Sequence, residues 1–361
     1  MTVNGKYDLA SMSREELRNY FKEIGEPKFR ADQVFSWICR GTPIAEMTNL
    51  SAALRARLAE SCIETLPRVE KKLVSAIDGT VKYLFSLYDG ACIESVLMRY
   101  KHGNTLCISS QVGCRMGCKF CASTIGGKER DLLPSELLGQ IIAAEKDLGE
   151  RVDNIVMMGI GEPLDNLDNV IRFLHLVGDE AGLNKGMRHI SLSTSGIVPG
   201  IDRLAEEDLQ ITLSISLHAA TDEKREAIMP INKKWNIAAL LAACVRYYKV
   251  TGRRISFEYT LIGGKNDSVA DAEELARLLL GAFRGTGAPI HVNLIRVNEV
   301  EETGFTRGSR DSVEAFAARL NALGVTATVR RRLGADVNAA CGQLRRKSGI
   351  RADGGEGHSD K

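Results

Sequence analysis

No stretch of this 361-residue chain approaches the roughly 18 apolar residues that a membrane-spanning helix requires. The opening MTVNGKYDLASMSREEL lacks the apolar centre of a secretory leader, and a cytoplasmic protein is the resulting expectation. Charge of one sign is also missing. The 48 Lys and Arg and 46 Asp and Glu leave a net charge of +2, so global charge gives no argument for a polyanionic partner. A disulfide framework is absent too: the nine cysteines are odd in number and irregularly spaced. In a reducing compartment, clustered cysteines more often bind metal or do thiol chemistry. Finally, Gly159-Ile160-Gly161-Glu162-Pro163-Leu164 has Leu164 where a dinucleotide fingerprint needs its third glycine, which removes that reading.

What is present suffices for one large core and a small accessory domain, with 44% hydrophobic residues. Residues 1–65 carry apolar positions at helical spacing in SREELRNYFKEIG and KFRADQVFSWICRG, with Gly25 and Gly41 as stops. Residues 66–104 switch to a period of two. Asp78-Gly79 and Asp89-Gly90 are hairpin-type turns there, which predicts an antiparallel β extension. From 105 to about 333, β-branched runs alternate with amphipathic helices. Strands are expected at 105–110, 154–159, 189–195, 210–218, 254–262 and 290–297, with helices such as Ser135–Leu148, Asn236–Tyr248 and Ser268–Phe283 between them. Ser135, with Pro134 before it, is the expected N-cap of its helix. A further helix, SVEAFAARLNALG, and strand, VTATVRRRL, follow, and residues 334–361 form a loop with Cys341 and a polar tail. This alternation predicts an α/β fold with parallel strands, best arranged as a partial (β/α)6 barrel. An open doubly wound sheet is the alternative.

In such folds the chemistry gathers at the carboxyl ends of the strands. Cys114, Cys118 and Cys121 follow the first strand as CxxxCxxC, Gly161 and Glu162 follow the second, and Ser193 ends the third. Ser216 and His218 end the fourth, and Asn298 ends the sixth. Three cysteines fall one short of a structural zinc site. Cys107 is the candidate fourth ligand, although its place on a strand also suits a buried core thiol. The other reading is a [4Fe–4S] cluster with one iron left open to chelate a methionine group. Glu162 is then either an exposed turn residue or a carboxylate for an ammonium group. Cys341, in DVNAACGQL, reads as a loop thiol, and Cys39, Cys62, Cys92 and Cys244 read as core. The runs Arg330–Arg332, Arg345–Lys347, Lys233–Lys234 and Arg253–Arg254 read first as solvated surface.

LCISSQVGCRMGCKFCAST, MGIGEPLDN, ISLSTSGIVPGI, ISLHAATDEKREAIMPINKK, HVNLIRVN and NAACGQL, taken together, resemble the RlmN/Cfr family of radical S-adenosylmethionine (SAM) RNA methyltransferases. GIGEPLDN and LSTSGIVP are more similar to the branch that methylates C2 of adenosine than to the branch that methylates C8. One departure is Glu299-Val300-Glu301-Glu302 after Asn298, where members of the family usually carry a proline. The resemblance implies a radical SAM barrel and a [4Fe–4S] cluster on Cys114, Cys118 and Cys121. It also implies SAM bound by Gly161, Glu162, Ser193, Ser216, Leu217, His218 and Asn298. The implied substrates are an adenosine of 23S ribosomal RNA and adenosine in certain transfer RNAs, methylated at C2 with two SAM per turnover.

The family chemistry assigns roles as well. Cys341 takes a methyl group, a 5′-deoxyadenosyl radical removes hydrogen from it, and the resulting methylene joins C2. Glu94, otherwise a surface Glu on a strand, corresponds to the base that removes the C2 proton. Cys107 then attacks the sulfur of Cys341, frees the RNA and leaves a disulfide. An electron donor such as flavodoxin and a thiol reductant are the implied partners. RNA phosphates would be held by the N-terminal helices, with Lys28 and Arg30, and by the basic runs. Two alternatives stand beside this reading: a C8 methyltransferase, and a non-catalytic, metal-stabilised RNA-binding protein.

Overall fold

The computed structural model describes residues 1–298 and 304–337. The chain opens with a short antiparallel pair, β1 (Thr2–Val3) and β2 (Lys6–Tyr7), which the sequence reading did not anticipate. Three helices follow: α1 (Arg14–Glu23), α2 (Lys28–Ile38) and α3 (Ala52–Ser61). Ser13 and Glu16 form a reciprocal capping box that starts α1, and the Ser51 hydroxyl caps α3. Leu17, Phe21, Val34, Phe35, Leu54 and Leu58 close a small core of their own, separate from the main one.

Next come β3 (Arg68–Val74), β4 (Val81–Ser86), β5 (Cys92–Tyr100) and β6 (Gly103–Cys107), paired antiparallel in succession. A second short antiparallel pair, β7 (Gln111–Gly113) and β8 (Lys128–Asp131), brackets the three-cysteine loop. The repeating part then runs α4 (Pro134–Leu148), β9 (Asn154–Met157), α5 (Leu167–Gly178), β10 (Ile190–Thr194), α6 (Val198–Glu206) and β11 (Thr212–Ser216). It continues with α7 (Asp222–Ile228), α8 (Ile237–Thr251), β12 (Ile255–Leu261), α9 (Val269–Ala282), β13 (Ile290–Arg296), α10 (Arg310–Ala322) and β14 (Thr326–Val329).

All but the two short pairs join one ten-stranded sheet, ordered β14-β13-β12-β11-β10-β9-β6-β5-β4-β3. The pairings from β6 through β9 to β14 are parallel. This is the expected partial barrel, open at β14 and continued past β6 by the antiparallel extension. The helices bury Leu137, Ile141, Val170, Leu174, Leu240 and Leu275 against strand residues such as Leu106, Leu192, Leu213 and Phe257.

Two local expectations are corrected. The N-cap of α4 is Leu133, with Pro134 in the first turn, and Ser135 is not the cap. Instead the Ser135 hydroxyl is fully buried and donates to Asp8 Oδ2 at 2.8 Å, while Thr65 Oγ1 lies within 2.8 Å of both Asp8 Oδ1 and Ser135 Oγ. A polar knot therefore fastens the helical unit to the barrel. The fourth parallel strand also stops at Ser216 rather than at 218, because His218 takes a left-handed backbone with φ of 58°.

Candidate active site at the carboxyl rim

The rim encloses a cavity of about 610 Å3. Cys107, Cys114, Cys118 and Cys121 all line it, with Gly161, Glu162, Ser193, Ser216, His218 and Asn298 around them. The structure thus brings together most of the residues singled out from the sequence. Leu217 and Glu94 do not line it: the Leu217 side chain is in the main core with its carbonyl accepting from Arg225, and Glu94 is buried beside Lys82. Cys341 lies outside the described residues.

The cysteine loop is shaped by its bracket. A Cβ on Gly113, whose φ is 78°, would overlap the Gly127 carbonyl oxygen, and that same oxygen accepts from the Cys114 amide at 2.9 Å. Further on, Cys121 N donates to Cys118 O at 3.0 Å, and Thr124 Oγ1 donates to the same turn. Phe120 packs with Ile228 and Met229 and meets the His218 ring edge-on at 5.0 Å. Burial pushes the Cys114 thiol up to about 12 and Cys118 well above its ordinary value, and the neighbouring cysteines add to both. Thiols that oppose one another's ionisation in a dry pocket become thiolates only beside a cation, so this donor set suits a metal cluster. Among the described residues no three His, Cys, Asp or Glu side chains group as ligands of a single ion. All three thiols line the cavity, and three cysteines suffice for a cluster with one open iron where a structural zinc takes four ligands.

Glu162 is not an exposed turn residue. It is buried, and its carboxylate accepts from Ser195 N at 2.7 Å and Leu164 N at 3.1 Å, while its own amide donates to Gln111 Oε1 at 2.9 Å. Burial outweighs those bonds and raises its pKa. A Cβ on Gly161 would sit 2.7 Å from Gln111 and Ser110 atoms, so only glycine lets the chain pass there, at φ of 110°. The buried Ser123 hydroxyl lines the same cavity and makes no hydrogen bond among the described residues. A buried carboxylate, an unpartnered hydroxyl and a glycine passage all fit a polar cofactor such as SAM.

His218 accepts from Thr260 N through Nδ1 at 2.9 Å, so in the neutral ring Nε2 carries the proton. Burial drives its pKa down to about 3. Ser193 and Ser216 bring their hydroxyls within 3.5 Å of each other. Glu258 on β12 also faces the cavity. Its carboxylate accepts from Asn293 Nδ2 at 2.7 Å and from Ser256 Oγ at 3.2 Å, and burial raises its pKa. Arg296, Arg307, Arg330, Arg331 and Arg332 line the cavity as well. Arg331 and Arg332 are exposed, as their reading as solvated surface expects, and the run borders the cavity as well.

The other wall comes from the extension. Val96 and Met98 of β5 line the cavity and pack with Cys107 of β6, which lies opposite Val96. Glu94 is two residues further along β5 on the same face, beyond the end of β6. It is fully buried and paired with Lys82 of β4, so the surface reading of Glu94 fails. The sequence reading missed Glu258 and Arg225. Both stand among ordinary strand and helix residues, where only the fold reveals that they are buried.

The radical SAM superfamily model matches residues 108–279, and the ribosomal RNA large subunit methyltransferase N-terminal domain model matches residues 7–63. A probable dual-specificity RNA methyltransferase RlmN of Clostridium perfringens is 51% identical over 94% of this chain and 96% of that one. Its namesake from Alkaliphilus oremlandii is 52% identical over 95% and 98%. The chain belongs to the RlmN family of radical SAM RNA methyltransferases. The crystal structure of a radical SAM methyltransferase from Sphaerobacter thermophilus superimposes with a TM-score of 0.87 at 42% identity, covering 96% of this chain and 99% of that chain. Membership implies a [4Fe–4S] cluster and SAM, the two groups that the cavity residues fit. Among the described residues no helix is long and apolar enough to cross a membrane.

Proposed function

We propose that this protein methylates C2 of an adenosine in 23S ribosomal RNA and of adenosine in certain transfer RNAs, with Cys114, Cys118 and Cys121 as cluster ligands. The observation that carries the reading is the position of Cys107. It is a fourth thiol, outside the CxxxCxxC loop, on a different strand of the same cavity. A cluster with an open iron needs three cysteines, and a thiol left over beside it is suited to sulfur exchange.

C2 of adenine lies between two ring nitrogens and is no nucleophile, so simple methyl displacement from SAM does not reach it. When bound, the cluster and SAM supply one-electron chemistry, and each turnover consumes two SAM. The chain's own residues do the rest. Gly161 leaves room for the cofactor, while Glu162 and the Ser193 and Ser216 hydroxyls accept and donate around it. Neutral His218 offers its Nε2 proton, and Asn298 closes the rim. Cys341 carries the methyl group, and Glu94 takes the C2 proton after the protein–RNA bond forms. The Cys107 thiolate then attacks the Cys341 sulfur, breaking its bond to the methylated base and forming a disulfide. A thiol reductant returns both cysteines to thiols, and an electron donor such as flavodoxin supplies the cluster. Arg296, Arg331 and Arg332, exposed at the cavity mouth, are placed to meet RNA phosphates. The target base has to leave its stack to enter.

The test uses anaerobically reconstituted protein, methyl-labelled SAM, a reductant and a 23S ribosomal RNA fragment or transfer RNA. The labelled nucleoside is identified by mass spectrometry. 2-Methyladenosine is expected; 8-methyladenosine would move the protein to the C8 branch, and an iron-replete sample that labels neither RNA would overturn the reading.

A further inference from the structure

Arg225 lies on α7 in the segment DEKREAI, where Asp222, Glu223, Lys224 and Glu226 are exposed. Of the segment's charged residues Arg225 alone is turned inward, and it is fully buried. Its Nε donates to Leu217 O at 3.1 Å, and its Nη2 donates to Ser195 O at 2.6 Å and Ser216 O at 3.1 Å. Its Nη1 donates to Asn232 Oδ1 at 3.0 Å. One guanidinium thus ties together the chain just beyond β10 and the end of β11, where the candidate SAM serines sit.

No carboxylate pairs with it among the described residues. The acid reached through the network is Asp222, whose Oδ1 accepts from Asn232 Nδ2 at 2.9 Å. A buried guanidinium without a direct anion is costly. Burial brings its pKa down to about 10, which still leaves it charged at neutral pH. The cysteine loop touches the end of α7 directly, through Lys119 N to Ile228 O at 2.9 Å, and Cys118, once a thiolate, is the foremost anion in the field of Arg225. Carbonyl oxygens satisfy its donors but not its charge, whereas thiolates on a cluster satisfy the charge.

We propose that Arg225 is a positioning residue with two separable duties: it fixes the serine-bearing ends of β10 and β11 for SAM, and it holds the positive charge that offsets the cluster beside Cys118. The proposal rests on the cluster reading above. It predicts that a positive charge here favours the reduced cluster, because reduction adds a negative charge within its field.

The test compares wild type with Arg225→Lys and Arg225→Met, each reconstituted with iron and sulfide. Three readouts are taken: iron content, the cluster's midpoint potential in a redox titration, and SAM affinity from the change that SAM causes in the reduced cluster's paramagnetic resonance spectrum. Arg225→Lys keeps the charge but cannot span three carbonyls. It should retain nearly the wild-type potential and weaken SAM by roughly tenfold or more, as expected for losing charge-assisted hydrogen bonds. Arg225→Met should load iron, shift the potential to a more negative value and weaken SAM similarly. If Arg225→Met fails to fold, the lysine variant decides alone: wild-type SAM affinity in that variant overturns the positioning duty, and a strongly lowered potential overturns the charge duty. A folded methionine variant with unchanged potential also overturns the charge duty. Wild-type protein that takes up no iron overturns the cluster reading itself.

Discussion

Lys82 Nζ lies 3.0 Å from a carboxylate oxygen of Glu94, and neither side chain reaches solvent. The pair joins β4 to β5 on the face that, further along β5, presents Val96 and Met98 to the cavity. Removing one partner of such a pair strands a charge. Lys82→Met is expected to destabilise the protein by about 3–5 kcal/mol in denaturant unfolding. Lys82→Met combined with Glu94→Gln should recover much of that loss. If the single variant unfolds like wild type, the pair is not what holds Glu94 in place.

Cys107→Ala should leave the three-cysteine loop intact and its iron content unchanged. With RNA and SAM it should accumulate a covalent protein–RNA adduct, visible as a shifted band on a denaturing gel. Loss of iron with no adduct would instead make Cys107 a ligand.

Asp8 gathers three buried hydroxyls, those of Ser11, Thr65 and Ser135, at 2.5 to 2.8 Å. Asp8→Ala takes this acceptor from all three; Thr65 keeps Ser135 Oγ within reach, so the cost of about 1–3 kcal/mol per unsatisfied group falls on Ser11 and Ser135. The helical unit has its own small core, so it should loosen before the barrel does. Hydrogen exchange should rise in α1–α3 and stay low in β9–β12. Uniform exchange across the chain would show the knot to be dispensable for docking.

With a folded-state pKa of about 3, His218 should stay neutral through the physiological range. Its ring resonances should show no midpoint between pH 8 and 5 in nuclear magnetic resonance spectra. In the unfolded chain it titrates near 6.5. Below that value the unfolded state binds a proton that the native state refuses, so this group's contribution to stability falls as pH drops from about 6.5 toward 3. A titration midpoint near 6.5 in the folded protein would mean that the ring is solvated.

The layout of the barrel was legible because its signals are local. Strand–helix alternation, the turns at Gly79 and Gly90, and the cysteine spacing each depend on residues adjacent in sequence. The two short pairs, β1–β2 and β7–β8, were not legible, because strands of two to four residues carry too little periodicity. Ser135 resembled an N-cap because its partners Asp8 and Thr65 are 127 and 70 residues away. Glu94 looked like a surface charge for the same reason, and Arg225 was not singled out at all. What buries them is a neighbouring strand in one case and a set of carbonyls in the other, and no local pattern encodes either. The shared rim position of the candidate site residues was legible from their place after strands, as a group better than for any one of them alone.

Val96 and Met98 give the cavity a wall that belongs to the antiparallel extension, while the facing wall belongs to the parallel strands. The seam between these two kinds of sheet therefore runs through the reaction chamber itself. Exchange of barrels between relatives by a cut near residue 104 would divide that chamber between two ancestries. A chimaera that keeps this cavity whole has to place its junction before β3, because residues 330–335, beyond β14, line it too.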